Sequence, residues 1–190
     1  MKPTTAHRLL LTTLALLASC LLGHAQTYVV KVPGITTGSS TLQNYAGADG
    51  WMIVQGFAYD SSRSQTGPTT FGVAEPSGLS VFMIVDAKTM PALFQLSING
   101  GSLGDGTFTP FTIEGIDTTT TPGTPVSTIQ LGIQGVIRDF QIEGTSGDQV
   151  FVSMSIALQK LRFKTIPLKP DGTADTPFEF GWDFENGLQY

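Results

Sequence analysis

Histidine and cysteine are almost missing from this chain of 190 residues, which has two histidines, His7 and His24, and one cysteine, Cys20. All three fall within the first 25 residues, so neither residue type occurs from Gln26 onward. That absence excludes several kinds of chemistry. Ser-His-Asp and Cys-His catalysis need an imidazole to take and return a proton, and the chain beyond Ala25 has none. Histidine-based zinc and copper sites fail for the same reason, and no cofactor is expected. Long apolar runs are scarce as well. The stretch Leu9–Leu22 is 14 residues long, short of the roughly 20 a helix needs to cross a bilayer, so no permanent transmembrane segment is expected. Positive charge is also in short supply, with 10 Lys and Arg against 15 Asp and Glu and a formal charge of −5. Nucleic acid is therefore not an expected partner, because phosphate binding draws on clustered Lys and Arg.

The first 25 residues have the three parts of a secretory signal: basic Lys2 and Arg8, the leucine-rich stretch Leu9–Leu22, and the small-residue site Gly23-His24-Ala25. This predicts an N-terminal signal helix over 1–25, cleaved after Ala25, and one domain over 26–190. Leu17-Ala18-Ser19-Cys20 also spells a lipobox, in which Cys20 becomes the acylated first residue of an outer-membrane lipoprotein. Against lipidation, Leu21-Leu22 continues the apolar run and no polar tether follows. Cleavage after Ala25 removes two cations and no anion, leaving 8 basic residues against 15 acidic ones, a formal charge of −7. The expected location is the periplasm or the extracellular space.

What is present in quantity is period-two alternation, glycine (22) and proline (11). Tyr28–Val32, Trp51–Tyr59, Leu79–Val85, Thr107–Ile116, Ser127–Glu143, Gln149–Ile166 and Phe178–Phe184 read as strands. Gly/Ser/Thr-rich loops, including Gly34–Gly50 and the connection Ser61–Gly78, separate them. Asp86–Gly100 departs from the pattern. It has a capping residue, Pro91 in a first turn, Met90, Leu93 and Phe94 at helical spacing, and an Asn99-Gly100 stop. Near Gln159-Lys160 the apolar set changes parity, from Val150, Val152, Met154, Ile156 and Leu158 to Leu161 and Phe163. A β-bulge there would re-aim the strand, as at the corner of a small barrel. The expected fold is mainly β, a small closed or two-sheet barrel of about six to eight strands with one short α-helix packed at its side.

Candidate chemistry is thin. Asp86, Asp105, Glu114, Asp117, Asp139, Glu143 and Asp183 offer carboxylates for hydrolase-type catalysis. Strand ends and turns account for nearly all of them, so no enzymatic activity is expected. Asn99–Gly106 loosely resembles a calcium-binding glycine-aspartate turn, but in a single copy it reads as a plain turn. Lys160, Arg162 and Lys164 form a basic stripe, read as a solvated face or the lining of an interface. Trp51, Phe57, Tyr59 and Trp182 are either core residues or a sugar-stacking platform.

Three stretches fall in a familiar order: Val32-Pro-Gly-Ile35 with its loop to Gly50-Trp51, then Val85–Leu93, then the long alternating Val150–Phe163 with Gly181-Trp182-Asp183. Together they resemble the haemolysin-coregulated protein (Hcp) family, the tube proteins of bacterial type VI secretion systems, across Thr27–Glu185. Ala157-Leu158-Gln159-Lys160 stands where that family usually has Asn-Phe-Gly-Lys, and the helix runs one residue longer before its proline. The resemblance implies a β-barrel with a helix at its side and a non-enzymatic homo-oligomer of hexameric rings that stack into a tube. It further implies a lumen that carries or chaperones effectors, contacts with other secretion-tube proteins, and an inter-ring loop bounded by Gly34, Ile35 and Gly50. The signal segment departs from it, since tube subunits ordinarily assemble in the cytoplasm. A monomeric secreted β-sandwich that binds surface glycans or proteins is the alternative, motivated by the aromatic set.

Overall fold

The computed structural model describes residues 26–65, 71–118, 125–144 and 149–190. Cys20 and the cleavage point after Ala25 lie outside the described residues. The strands are β1 (Gln26–Lys31), β2 (Thr41–Leu42), β3 (Tyr45–Ala46), β4 (Trp51–Gln65), β5 (Phe71–Asp86), β6 (Ser102–Gly104), β7 (Thr112–Asp117), β8 (Val126–Gly144), β9 (Gln149–Thr165), β10 (Phe178–Asp183) and β11 (Leu188–Gln189). The helix α1 spans Met90–Asn99.

Strands β9, β5, β4, β1, β7 and β8 pair in that order, and β8 pairs back onto β9, which closes a six-stranded antiparallel barrel. Closure follows from the length of β8 and β9. Each is long enough to pair along most of its length with the other and still use its second edge for two different neighbours. β9 gives that edge first to β5 (Asp86↔Gln149 to Leu79↔Ile156) and then to β10 (Asp183↔Lys160 to Phe178↔Thr165). β8 gives its own to β7 and then to β6. Alternate side chains point inward and fill the barrel: Val30, Met52, Met83, Ile113, Ile133 and Met154 are all fully buried.

Of the chain from Ser61 to Gly78, expected as a connection, residues 61–65 and 71–78 instead continue the hairpin. β4 and β5 stay paired from Asp60↔Gly78 to Gln65↔Phe71, with register shifts at Asp60/Ser61 and Arg63/Gln65. Composition misleads here because a two-stranded ribbon satisfies its backbone groups through its partner strand, whatever the side chains.

α1 lies where the expected helix was placed, with a later start. Asp86 Oδ1 accepts the N–H groups of Lys88 (3.1 Å) and Thr89 (2.8 Å), so the preceding turn is fixed before helical geometry begins. Pro91 sits in the first turn, and Gly100 ends the helix at φ 64°. Leu93 is the residue α1 buries fully. Met90 and Leu96 pack against the same core, while Phe94 and Ile98 face outward.

Candidate functional site

Two bulges build the feature that distinguishes this barrel. On β4, Val54 faces Met83 and Gly56 faces Phe82, so Gln55 is an extra residue. Met52 and Val54 point inward before it, and Phe57, opposite core residue Val81, packs against the core after it. On β9, Lys160 faces Gln134 and Leu158 faces Gly135, so Gln159 is extra. This is the parity switch expected near Gln159-Lys160. The surplus residue is held on every side: its carbonyl accepts the N–H of Phe184 (2.9 Å), and its side chain binds Ser102 and Glu185. Beyond both bulges, residues of the new parity line an apolar groove of 410 Å³. Phe57 and Tyr59 come from β4, Leu131 from β8, Leu161 and Phe163 from β9, and Phe180 and Trp182 from β10. The groove begins where β9 leaves β5 after Ile156 and pairs with β10 instead.

Of the four aromatics singled out in the sequence, three meet in this groove and Trp51 does not. Trp51 lies before the Gln55 bulge, so its ring points to the other face, edge-on to Tyr45 at 5.0 Å between ring centroids. Phe163 and Phe180 were not among the four, although Phe163 carried the parity signal and Phe180 lies two residues before Trp182. They are 40% and 49% exposed, which leaves the groove open to solvent. Trp182 Nε1 is buried without a hydrogen-bond partner. No charged or amide side chain lines the groove, so little is available there to bind sugar hydroxyls.

A second apolar surface forms around α1. Phe94 and Ile98 are 48% and 66% exposed, Phe94 packs on Phe140 at 6.3 Å, and exposed Ile142 is on the same strand as Phe140. It sits toward the opposite end of the β8–β9 pair from the groove, since Ile142 pairs with Val152 and Leu131 with Phe163.

The loop running from Gly34 to Gly50 is pinned to the outside of the barrel. Ser39 Oγ donates to Ile84 O (2.6 Å) and accepts from Ile53 N (3.1 Å), and Ser40 N donates to Trp51 O (3.0 Å). Tyr45 OH donates to the buried Glu114 at 3.1 Å, where Gln130 Nε2 also donates at 3.2 Å. Burial, reinforced by the Glu114 charge, pushes the Tyr45 hydroxyl well above the usual tyrosine range. Gly34 is exposed, whereas Ile35 and Gly50 are buried, and the exposed tip of the loop lies at Thr41, Gln43 and Asn44. Gly50 has φ 84°, and a Cβ there would stand 2.2 Å from Ile35 O, so the two ends of the loop are locked together.

Most of the remaining carboxylates have local partners. Hydrogen bonds from Thr89 hold the Asp86 carboxyl below the usual range, and those from Thr107 do the same for Asp105. Asp183 is held low chiefly by Asn186, with Lys160 3.6 Å away. Asp139 pairs with Arg138 at 3.1 Å, Glu143 is exposed, and Asp117 is buried at the end of β7. Among the described residues, no group of three or more acidic side chains is arranged to hold a metal ion. Asn99–Gly106 folds as the helix stop, strand β6 and the Asp105 turn. On the outer face of β9, Arg162 pairs with Glu179 at 2.9 Å, while Lys160 and Arg162 lie over Tyr190 and Arg162 and Lys164 over Phe108. No helix among the described residues is long and apolar enough to cross a membrane.

No protein family's sequence profile matches this chain, and no curated protein matches it. Solved structures do. One described as a type six secretion system protein shares 19% identity and a TM-score of 0.68, covering 87% of this chain and 100% of its own. Hcp1 from Salmonella typhimurium shares 12% identity with a TM-score of 0.65, over 87% of this chain and 99% of its own. The secreted protein Hcp3 from Pseudomonas aeruginosa shares 17% identity with a TM-score of 0.53, over 84% and 99%. At these identities the likeness is one of fold, and it extends over nearly the whole of each neighbour.

Proposed function

From a chain that carries the Hcp fold, we propose a non-enzymatic structural role: an exported secretion-tube-like subunit that assembles into hexameric rings, which stack and carry or chaperone effectors. The observation that carries this reading is the whole-length fold match with a type six secretion system protein. The open groove and the exposed α1 face support it, because exposed apolar patches mark surfaces that meet a partner. The signal-like sequence of residues 1–25 supports a location outside the inner membrane, reached through cleavage after Ala25 or acylation at Cys20. The loop of Gly34, Ile35 and Gly50 is assigned to ring stacking, with Thr41–Asn44 as its contacting tip.

Light scattering and electron microscopy on the protein purified from the exported fraction test the assignment. Ring-shaped particles about six times the chain mass are expected, and a strict monomer at high concentration refutes it. The aromatic groove favours one other reading, a monomeric glycan- or protein-binding module, through the convergence of Phe57, Tyr59 and Trp182. Glycan-array binding that is lost in Trp182→Ala and retained in Trp51→Ala would establish that reading instead.

A further inference from the structure

Strand β1 starts at Gln26, at the same end of the barrel as the apolar groove. Gln26 Nε2 donates to Thr128 Oγ1 at 2.9 Å, and Tyr28 OH donates to Gln26 Oε1 at 3.0 Å. The Tyr28 ring stands edge-on to Phe57 at 5.2 Å between centroids, and Phe57 lines the groove. Leu131, which also lines it, follows Thr128 along β8 by roughly 10 Å at about 3.3 Å per residue. We propose that, while residues 1–25 remain attached, the leucine-rich stretch Leu9–Leu22 seats in the groove of its own chain, and that cleavage after Ala25 uncovers it. The proposal rests on the cleaved-leader part of the reading above and goes beyond it by giving the leader a binding site on the folded domain.

Reach, chemistry and tethering select this occupant. Gly23, His24 and Ala25 alone separate Leu22 from Gln26, so an extended chain carries Leu22 about 13 Å and Cys20 about 20 Å from it, enough to enter the groove. The stretch LLLTTLALLASCLL has no charged residue, and no charged or amide side chain lines the groove, so seating one in the other buries no ion. At 14 residues the stretch is short of the roughly 20 that span a bilayer, so on a folded chain its leucines gain most from an apolar surface nearby. The groove, at 410 Å³, is of a size that encloses a small apolar group. A tether this short makes the contact intramolecular, at an effective concentration on the order of millimolar, which favours the chain's own leader over a separate partner. The α1 surface does not compete for it, since Phe140 and Ile142 lie toward the other end of β8. Until the leader is removed the groove is closed to other apolar partners, and processing is what makes it available.

Cys20, the one cysteine of the chain, lies within the stretch and supplies the test. In the full-length chain, refolded before any processing, Phe180→Cys followed by mild oxidation should join Cys20 to the new thiol within one chain, as peptide mapping reads. Ile98→Cys, at the α1 surface, should stay unlinked; both positions are exposed, so neither exchange disturbs the core. The unprocessed chain should bind the apolar dye N-phenyl-1-naphthylamine weakly. Treatment with signal peptidase should raise that binding several-fold, and so should Leu22→Glu, which alters no residue of the barrel. Phe180→Glu should abolish the gain. Equal linkage in Ile98→Cys, a link formed only between two chains, or dye binding indifferent to the leader overturns the contact and leaves the secretion-tube reading standing. Protein recovered from cells with residues 1–25 still attached overturns the cleaved-leader reading instead, and the linkage then still decides whether the stretch occupies the groove.

Discussion

Leu93→Ala is the most direct test of how α1 is attached to the barrel. Leu93 is the residue of the helix with no exposed surface, and it packs into the same cluster as Val85 and Met154. Shortening it to alanine withdraws three carbons from the core, worth about 2.4 kcal/mol in transfer free energy at about 0.8 kcal/mol each. If the barrel fails to close on the vacated space, the cost rises toward about 5 kcal/mol. Phe94 is the control. With half of its ring already in water, Phe94→Ala should cost about 1 kcal/mol, mainly the lost contact with Phe140. Urea unfolding of the purified protein, followed by circular dichroism, gives both numbers from the shift in midpoint at constant slope. A loss below about 1 kcal/mol for Leu93→Ala, or equal losses for the two variants, would refute the assignment of the helix's inner face. The control has a second use: Phe94→Ala should weaken assembly more than its small effect on subunit stability explains.

Tyr45→Phe removes one of the two donors to buried Glu114 and should cost about 0.5–1.5 kcal/mol in the same unfolding assay, with increased proteolysis near Asn44 as the loop loosens. Gly50→Ala should cost more, at least about 1–2 kcal/mol for the left-handed backbone alone, because its methyl also meets Ile35 O; a neutral result would contradict the loop geometry. Asp86 is held below its ordinary value chiefly by Thr89, so in acid the unfolded chain takes up its proton first. Its contribution is complete above the unfolded value of about 3.9 and is lost as pH falls through the lower folded value. Unfolding midpoints measured from about pH 6 down to about pH 2.5 should show a shallower acid decline in Asp86→Asn than in the wild type, with no difference in slope near neutrality.

Much of the fold could be read directly from residues. Alternation located the barrel strands, and the apolar switch from Leu158 to Leu161 located the Gln159 bulge. The same kind of signal was available at Gln55-Gly56, where a polar pair interrupts Met52-Ile53-Val54 before Phe57. Missing it joined Trp51 to Phe57 and Tyr59, three odd-numbered residues that an unbroken strand would place on one face. The ribbon of residues 61–65 and 71–78 was illegible for a different reason. Its pairing is a property of two backbones, and its serines, glycines and proline look the same in a loop as in a hairpin.

The amino-acid sequence by itself determined the kinds of element and the chemistry denied to them. Side-chain periodicity is local, and a missing histidine or cysteine is missing in every fold. The sequence also holds the signal-like pattern of the first 25 residues, since a leucine run flanked by basic charge is local to one stretch of chain. Only the tertiary structure decided that β8 returns to β9 and closes the barrel, and that Phe57, Leu131, Phe163 and Trp182 meet in one groove. Those residues come from four strands spread over more than a hundred positions. Their meeting depends on which edge each strand pairs with and where each bulge falls, and no short window of the chain contains that information.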